Sequence, residues 1–292
     1  MKKLTLVLLT VVAVSAHADV TVESRLTIES VAGTGEGRVL TETQGLRRRE
    51  DRSLSLAGPF ASAQAESVQS SIIRLDRAVL QKLTPSDSSY EETPLAQVLA
   101  KTAKTTLPGL DGASTPDVTW TVTSARRTDH ATIAGFDATP TVLTLRGKGV
   151  QKDTGQPIEL VLTLELWTAP GVPGAAEIKT FDSKYATAVG LAPGMVEESM
   201  AAFGVSRTAV RQLTAARAKI TGRPVRTVMT VAMPSLAAMM QKLSESMPGA
   251  FGGAPPPADG PLLTSTLEVV RVDTTRLPAA RFQVPAGFKR RT

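Results

Sequence analysis

The stretch Val20-Thr21-Val22-Glu23-Ser24-Arg25-Leu26-Thr27-Ile28-Glu29 alternates apolar or small residues with polar ones. Side chains of an extended chain point to opposite faces in turn, so a period of two describes a strand with one face buried and one in water. Half-buried strands belong to antiparallel sheets. The pattern recurs downstream. Gly33, Gly35 and Gly37 supply a turn, residues 39–46 return, and residues 52–57 alternate again. Ile72-Ile73-Arg74-Leu75 and residues 78–83 flank Asp76-Arg77 and read as a hairpin.

Helical spacing enters next. Pro94 occupies a first helical position, and Leu95, Val98 and Leu99 share one face of a helix that runs to about residue 105 and stops at Leu107-Pro108-Gly109. Asp87, Glu91 and Glu92 read as its acidic approach, where carboxylates favour the N-terminal dipole. The middle of the chain is strand-rich at 118–125, 139–150 and 157–168, with turn chemistry at 152–156. Residues 160–166 are nearly all apolar, which predicts a strand covered on both faces. Pro170, Gly171, Pro173 and Gly174 then break regular structure.

Residues 183–247 change character. Met195, Val196, Met200 and Phe203 fit one helical face, and Val210, Leu213 and Ile220 fit another. A strand at 224–231 precedes a third helix from Pro234, which lines up Leu236, Met239, Met240, Leu243 and Met247 as one apolar stripe. Residues 248–261 are mostly Pro, Gly and Ala and read as a flexible loop. A last strand covers 262–273. About eleven strands with helices in two groups give α+β rather than alternating α/β.

Length and composition set the frame. At 292 residues, with 42% hydrophobic and 21% charged residues, the chain can bury a core without staples. It has no Cys, which excludes disulfides, thiolate catalysis and Cys-ligated metal. Met1-Lys2-Lys3, the apolar run that follows and Ala16-His17-Ala18 form a cleaved secretory leader over residues 1–18, with Asp19 first in the mature chain. The run is about half the ~20 residues that span a bilayer. A periplasmic protein follows, with residues 19–292 as a single domain. Without Lys2 and Lys3 the 33 basic residues fall to 31 against 27 acidic ones, a mild excess. The runs Arg47-Arg48-Arg49, Arg126-Arg127 and Lys289-Arg290-Arg291 read as solvated strand ends or tails, or as contacts to an anionic membrane surface. Export and only 7 Phe, 2 Trp and 2 Tyr argue against nucleic acid.

The mature chain keeps one histidine, His130. Its neighbour Asp129 would point to the opposite face of an extended segment, so a triad would need another acid. Gly147 and Gly149 lie in a strand pattern and lack the loop-to-helix setting of a phosphate cradle. No catalytic residue, metal site or cofactor is expected. Seven of the 8 methionines fall between Met195 and Met247, a pattern that fits helix core or an adaptable apolar cleft.

Leu46-Arg47-Arg48-Arg49, Ile72-Ile73-Arg74-Leu75-Asp76-Arg77 with Leu83 and Tyr90, Ile133-Ala134-Gly135-Phe136, Trp167-Thr168-Ala169-Pro170 and Phe282-Gln283-Val284-Pro285-Ala286-Gly287-Phe288 occur in that order. As an ordered set they resemble an uncharacterised family of exported bacterial proteins known only as a domain of unknown function. That family is similar in pattern to the lipoprotein carriers of the envelope. The resemblance implies a curved antiparallel sheet, an incomplete barrel, with helices packed in or over its concave face, and acyl chains bound there. The helical, Met-rich stretch at about 190–250 and the Pro/Gly loop at 248–261 depart from the carriers.

The expected function is a non-catalytic periplasmic binding protein for an apolar ligand, a lipid or lipoprotein acyl chain, held by Leu236, Met239, Met240, Leu243 and Met247. The alternative is an envelope interaction or structural factor with a closed packed core.

Overall fold

The alternation at residues 20–29 becomes the central strand of a large sheet. The structure is a computed structural model that describes residues 19–30, 33–58, 67–102, 117–150, 155, 157–190, 207–234 and 260–291. Six strands open the fold as a meander: β1 (Val20–Ser30), β2 (Gly33–Gln44), β3 (Arg47–Ala57), β4 (Ser67–Arg74), β5 (Val79–Thr84) and β6 (Ser89–Pro94). Helix α1 (Leu95–Thr102) follows. The second half contains β7 (Asp117–Arg126), β8 (Ala131–Ile133), β9 (Phe136–Val150), β10 (Pro157–Ala169), α2 (Ala175–Ala188), α3 (Arg207–Ala218), β11 (Arg223–Ala232), β12 (Leu263–Asp273) and β13 (Lys289–Arg290).

The strand order is β13-β6-β5-β4-β3-β2-β1-β12-β11-β10-β9-β7, with β8 on β9. Pairing is antiparallel throughout except for the short β13–β6 pair. The two halves join where β12 returns to β1, and the sheet does not close: β13 and β7 are its edges. Bulges at Glu23/Ser24 and Trp167/Thr168 add twist and bend to strands near the middle. The β8–β9 hairpin turns on Ala134 and Gly135, both at positive φ (50° and 83°), as a two-residue turn matched to strand twist requires. The fold is thus α+β, a curved and open antiparallel sheet with helices against it.

Register shows which side the helices take. Val20, Thr43, Arg48, Ile73 and Leu80 are successive cross-strand neighbours, and so are Leu26, Leu267, Thr227 and Leu166. All belong to one face, the inner one. On it α2 lays Ile178 among Val20, Val22, Val225 and Val269. Helix α1 packs Leu95 and Val98 against Leu80. Helix α3 buries Ala209, Val210 and Leu213 on Leu143, Leu145 and the even-numbered leucines of β10. Each buried leucine contributes about 1.5–3 kcal/mol relative to leaving it in water.

The outer face carries a strap. After β12 the chain crosses β1 to β6 and ends as β13. Asp19 accepts hydrogen bonds from the Leu277 N–H (2.6 Å) and Gln44 Nε2 (3.0 Å). Arg281 donates through Nη2 (2.7 Å) and Nε (3.0 Å) to Glu42, and Phe282 is fully buried. Arg74 donates to the Phe282 carbonyl.

Several expectations change. Gly33, Gly35 and Gly37 do not form a turn; they open β2. A Cβ on Gly37 would stand 2.1 Å from the Ser53 carbonyl oxygen, so only glycine permits that approach of β3. Residues 89–94 are not a helix approach but strand β6, with Glu91 and Glu92 on opposite sides as strand geometry demands. Residues 160–166 are buried on one face and half-buried on the other, because Thr163 and Glu165 keep a period of two. The helical region begins earlier than residue 183: α2 starts at Ala175, directly after the Gly174 bend. Residues 1–18 and most of 190–250, including 235–250, lie outside the described residues, although within that stretch β11 is an integral strand of the sheet.

Candidate functional site

The inner face carries two features that packing alone does not consume. The first is apolar. Leu54 and Leu56 of β3 pair with Gly37 and Gly35 of β2, which in turn pair with Leu26 and Ile28 of β1; Leu26 pairs with Leu267 of β12. Because Gly35 carries no side chain, the leucines lean over it, with Leu56 Cδ2 2.8 Å and Leu54 Cδ1 3.3 Å from where a Gly35 Cβ would be. This strip remains partly open: Leu56 is 52% exposed and Leu267 38%.

The second feature is cationic and lies at the other end of the same face. Arg48 of β3 enters from the sheet beside Thr43. Its Nη1 donates to Asp182 of α2 at 2.6 Å, its Nε donates to Thr43 Oγ1 at 3.2 Å, and its guanidinium lies 4.1 Å from the centre of the Phe181 ring. Arg217 in the last turn of α3 and Arg223 at the start of β11 both feel the Asp182 charge, and Arg223 also feels Arg48 and Arg217. Burial pulls the guanidinium of Arg223 below the usual arginine range; Asp182 opposes that pull, and the charges of Arg48 and Arg217 reinforce it. Burial likewise lowers Arg217 against the pull of Asp182. Arg48 Nη2 and Arg223 Nε are buried with no hydrogen-bond partner among the described residues.

The sequence-predicted stripe of Leu236, Met239, Met240, Leu243 and Met247 lies outside the described residues, as do Met195 and Met200. Met229 and Met233 are described, and both pack half-buried against the α3 core. His130 is exposed, and its ring Nδ1 lies 3.3 Å from Asp137 Oδ1, the acid across the β8–β9 hairpin, not from Asp129. The arginine run at 47–49 is not a solvated strand end. Arg47 pairs with Asp76, Arg48 with Asp182 and Arg49 with Asp51. At the C-terminus Arg290 pairs with Glu92, and Arg291 with Asp87. One cavity of about 210 Å³ opens on the outer face between Thr21, Glu23, Arg271, Asp273 and the strap, with mixed polar walls. Among the described residues no group of three or more metal-ligating side chains converges, and no helix is long and apolar enough to cross a membrane.

The arginine cluster was missed by the sequence reading because its members are far apart in the chain. One signal was available: strand alternation puts Arg48 on the same face as the buried Val20, where a cation needs a partner.

Comparison with known proteins adds little. No family model matches the chain, and no curated protein does. Among solved structures, a DUF1329 family protein from Desulfovibrio piger is similar at 8% identity and a TM-score of 0.21, over 92% of this chain and 91% of that one. That neighbour belongs to a domain-of-unknown-function family, at a likeness too distant to argue from.

Proposed function

We propose that this chain is a non-catalytic periplasmic binding protein that holds an apolar ligand, a lipid or lipoprotein acyl chain, on the inner face of its open sheet. The observation that carries this reading is the strip from Leu56 across Gly35 and Leu26 to Leu267, with two of its leucines left substantially exposed on a face otherwise used for packing. An acyl chain gains about 0.8 kcal/mol for each CH2 it buries, so even a shallow apolar trough holds one usefully. The leader at residues 1–18 supports the compartment. Leu236, Met239, Met240, Leu243 and Met247 are proposed as ligand-binding residues on their sequence pattern alone.

A second reading, an envelope interaction factor with a closed core, is favoured by the full burial of Leu143, Leu145 and Leu166 under α3. Native mass spectrometry on protein purified from its own envelope, with lipid extraction of the same sample, separates the two. Acyl species that co-purify at near-stoichiometric amounts are expected. Ligand-free protein that also fails to take up added lipid would favour the interaction factor.

A further inference from the structure

We propose that Arg48, Arg217 and Arg223 form a binding site for an oxyanion, a carboxylate or phosphate group lodged between α2, the end of α3 and the inner face of the sheet. The proposal rests on these polar side chains and stands whether or not the apolar strip binds a ligand.

Charge comes first. Asp182, which is exposed and already engaged by Arg48 Nη1, also acts on Arg217 and Arg223, and Arg223 feels the charges of both Arg48 and Arg217. Clustering cations in a half-buried place costs free energy unless an anion completes the group. Donors come second. Arg48 uses Nη1 on Asp182 and Nε on Thr43, and the Phe181 ring supports the plane of its guanidinium. Its remaining Nη2 is buried and unpartnered among the described residues, as is Arg223 Nε. Native proteins rarely leave such donors unsatisfied, and an unsatisfied pair on neighbouring cations points to a missing acceptor. Carboxylate and phosphate oxygens match the planar guanidinium fork better than any neutral acceptor. The chain also prepares the site locally. Arg217 and Arg223 flank the tight turn at 219–222, where Gly222 (φ 87°) would set a Cβ 2.9 Å from the Ala169 carbonyl oxygen. That turn holds the helix end and the strand start together.

Two sources share this chemistry. Arg48 lies six residues along the strands from the level of Leu26, roughly 20 Å at about 3.3 Å per residue. An anionic amphiphile can therefore place its head at the arginines and its tail on the strip, while a free oxyanion would occupy the arginines alone.

The test titrates full-length mature protein at fixed ionic strength with inorganic phosphate, dodecanoic acid and dodecanol, in the wild type and in Arg223→Met and Arg217→Met. Phosphate or the acid should bind the wild type and weaken at least tenfold in both variants, with ligand-free melting temperatures equal to or above the wild type because an unpaired buried cation is gone. Loss of acid binding with dodecanol unchanged assigns the site to a headgroup; loss of phosphate binding where neither acid nor alcohol binds assigns it to a free oxyanion and removes the strip reading instead. Acid and alcohol binding equally in all three proteins, with no phosphate effect, would overturn the site while leaving the strip reading intact. A lower ligand-free melting temperature in both variants would also overturn it, since the arginines would then be structural cations.

Discussion

Arg48 lays its guanidinium 4.1 Å from the centre of the Phe181 ring, and that contact ties the third strand to α2 on the inner face of the sheet. The arginine is only 13% exposed, so the cation–ring attraction is little screened, and the carboxylate beside it belongs to Asp182, which is 51% exposed. The ring itself is fully buried. Phe181→Ala should therefore cost about 3–5 kcal/mol in urea unfolding, through lost burial and the cavity left behind. Asp182→Asn keeps an acceptor for Arg48 Nη1 and should cost clearly less. Equal costs for the two would place the tether in the ion pair and not in the ring.

The outer strap is held asymmetrically. Glu42 has a side chain 7% exposed, while Arg281 is 39% exposed and also reaches Asp51 at 3.7 Å. Removing the arginine strands a buried carboxylate; removing the carboxylate leaves a cation that can turn to solvent or to Asp51. Arg281→Ala should thus cost on the order of 3 kcal/mol, and Glu42→Gln clearly less. Chemical denaturation of both variants decides, and the reverse order would mean that the strap does not depend on this pair.

Acid should loosen the β3–β5 region. Burial alone would raise the Asp51 carboxyl, but hydrogen bonds from Arg49 and Ser70 and the charges of Arg49 and Arg281 outweigh it and hold it below the usual range. The Asp76 carboxyl is lowered mainly by its hydrogen bonds from Arg74, against a smaller effect of burial. Carboxyls depressed in the folded state stabilise it above the unfolded value of about 3.9, and that stabilisation disappears as pH falls through the folded values. Melting temperature should hold from pH 7 to 5 and fall steeply below about 4. Asp51→Asn and Asp76→Asn should each melt lower at pH 7 and show a shallower fall in acid. A wild-type acid limb unchanged in both would remove these carboxyls from the account.

Much of the sheet was readable because burial on one face writes a period of two into the chain, as in residues 20–26. The misread segments share a cause. Glycines 33, 35 and 37 look like a turn until β3 is known to approach them, with backbone at Gly33 and Gly37 and the Leu54 and Leu56 side chains at Gly35, which is a fact of the neighbouring strand. Glu91 and Glu92 look like the acidic approach to the helix that does begin at Leu95, yet they lie in β6, where Gln81 and Arg290, brought alongside by pairing, give Glu92 its partners. The arginine cluster joins a strand, a helix end and a turn from three parts of the chain, and no local spacing encodes that.

The central claim is that the exposed part of the inner apolar strip holds an acyl chain, and Leu267 tests it most directly. At 38% exposure a charge there can reach water, so Leu267→Glu should fold with a melting temperature within a few degrees of the wild type. A titration with a fluorescent fatty-acid probe should then show saturable wild-type binding and at least tenfold weaker binding in Leu267→Glu. A wild type that binds no probe, or a folded variant that binds it as tightly as the wild type, would contradict the account.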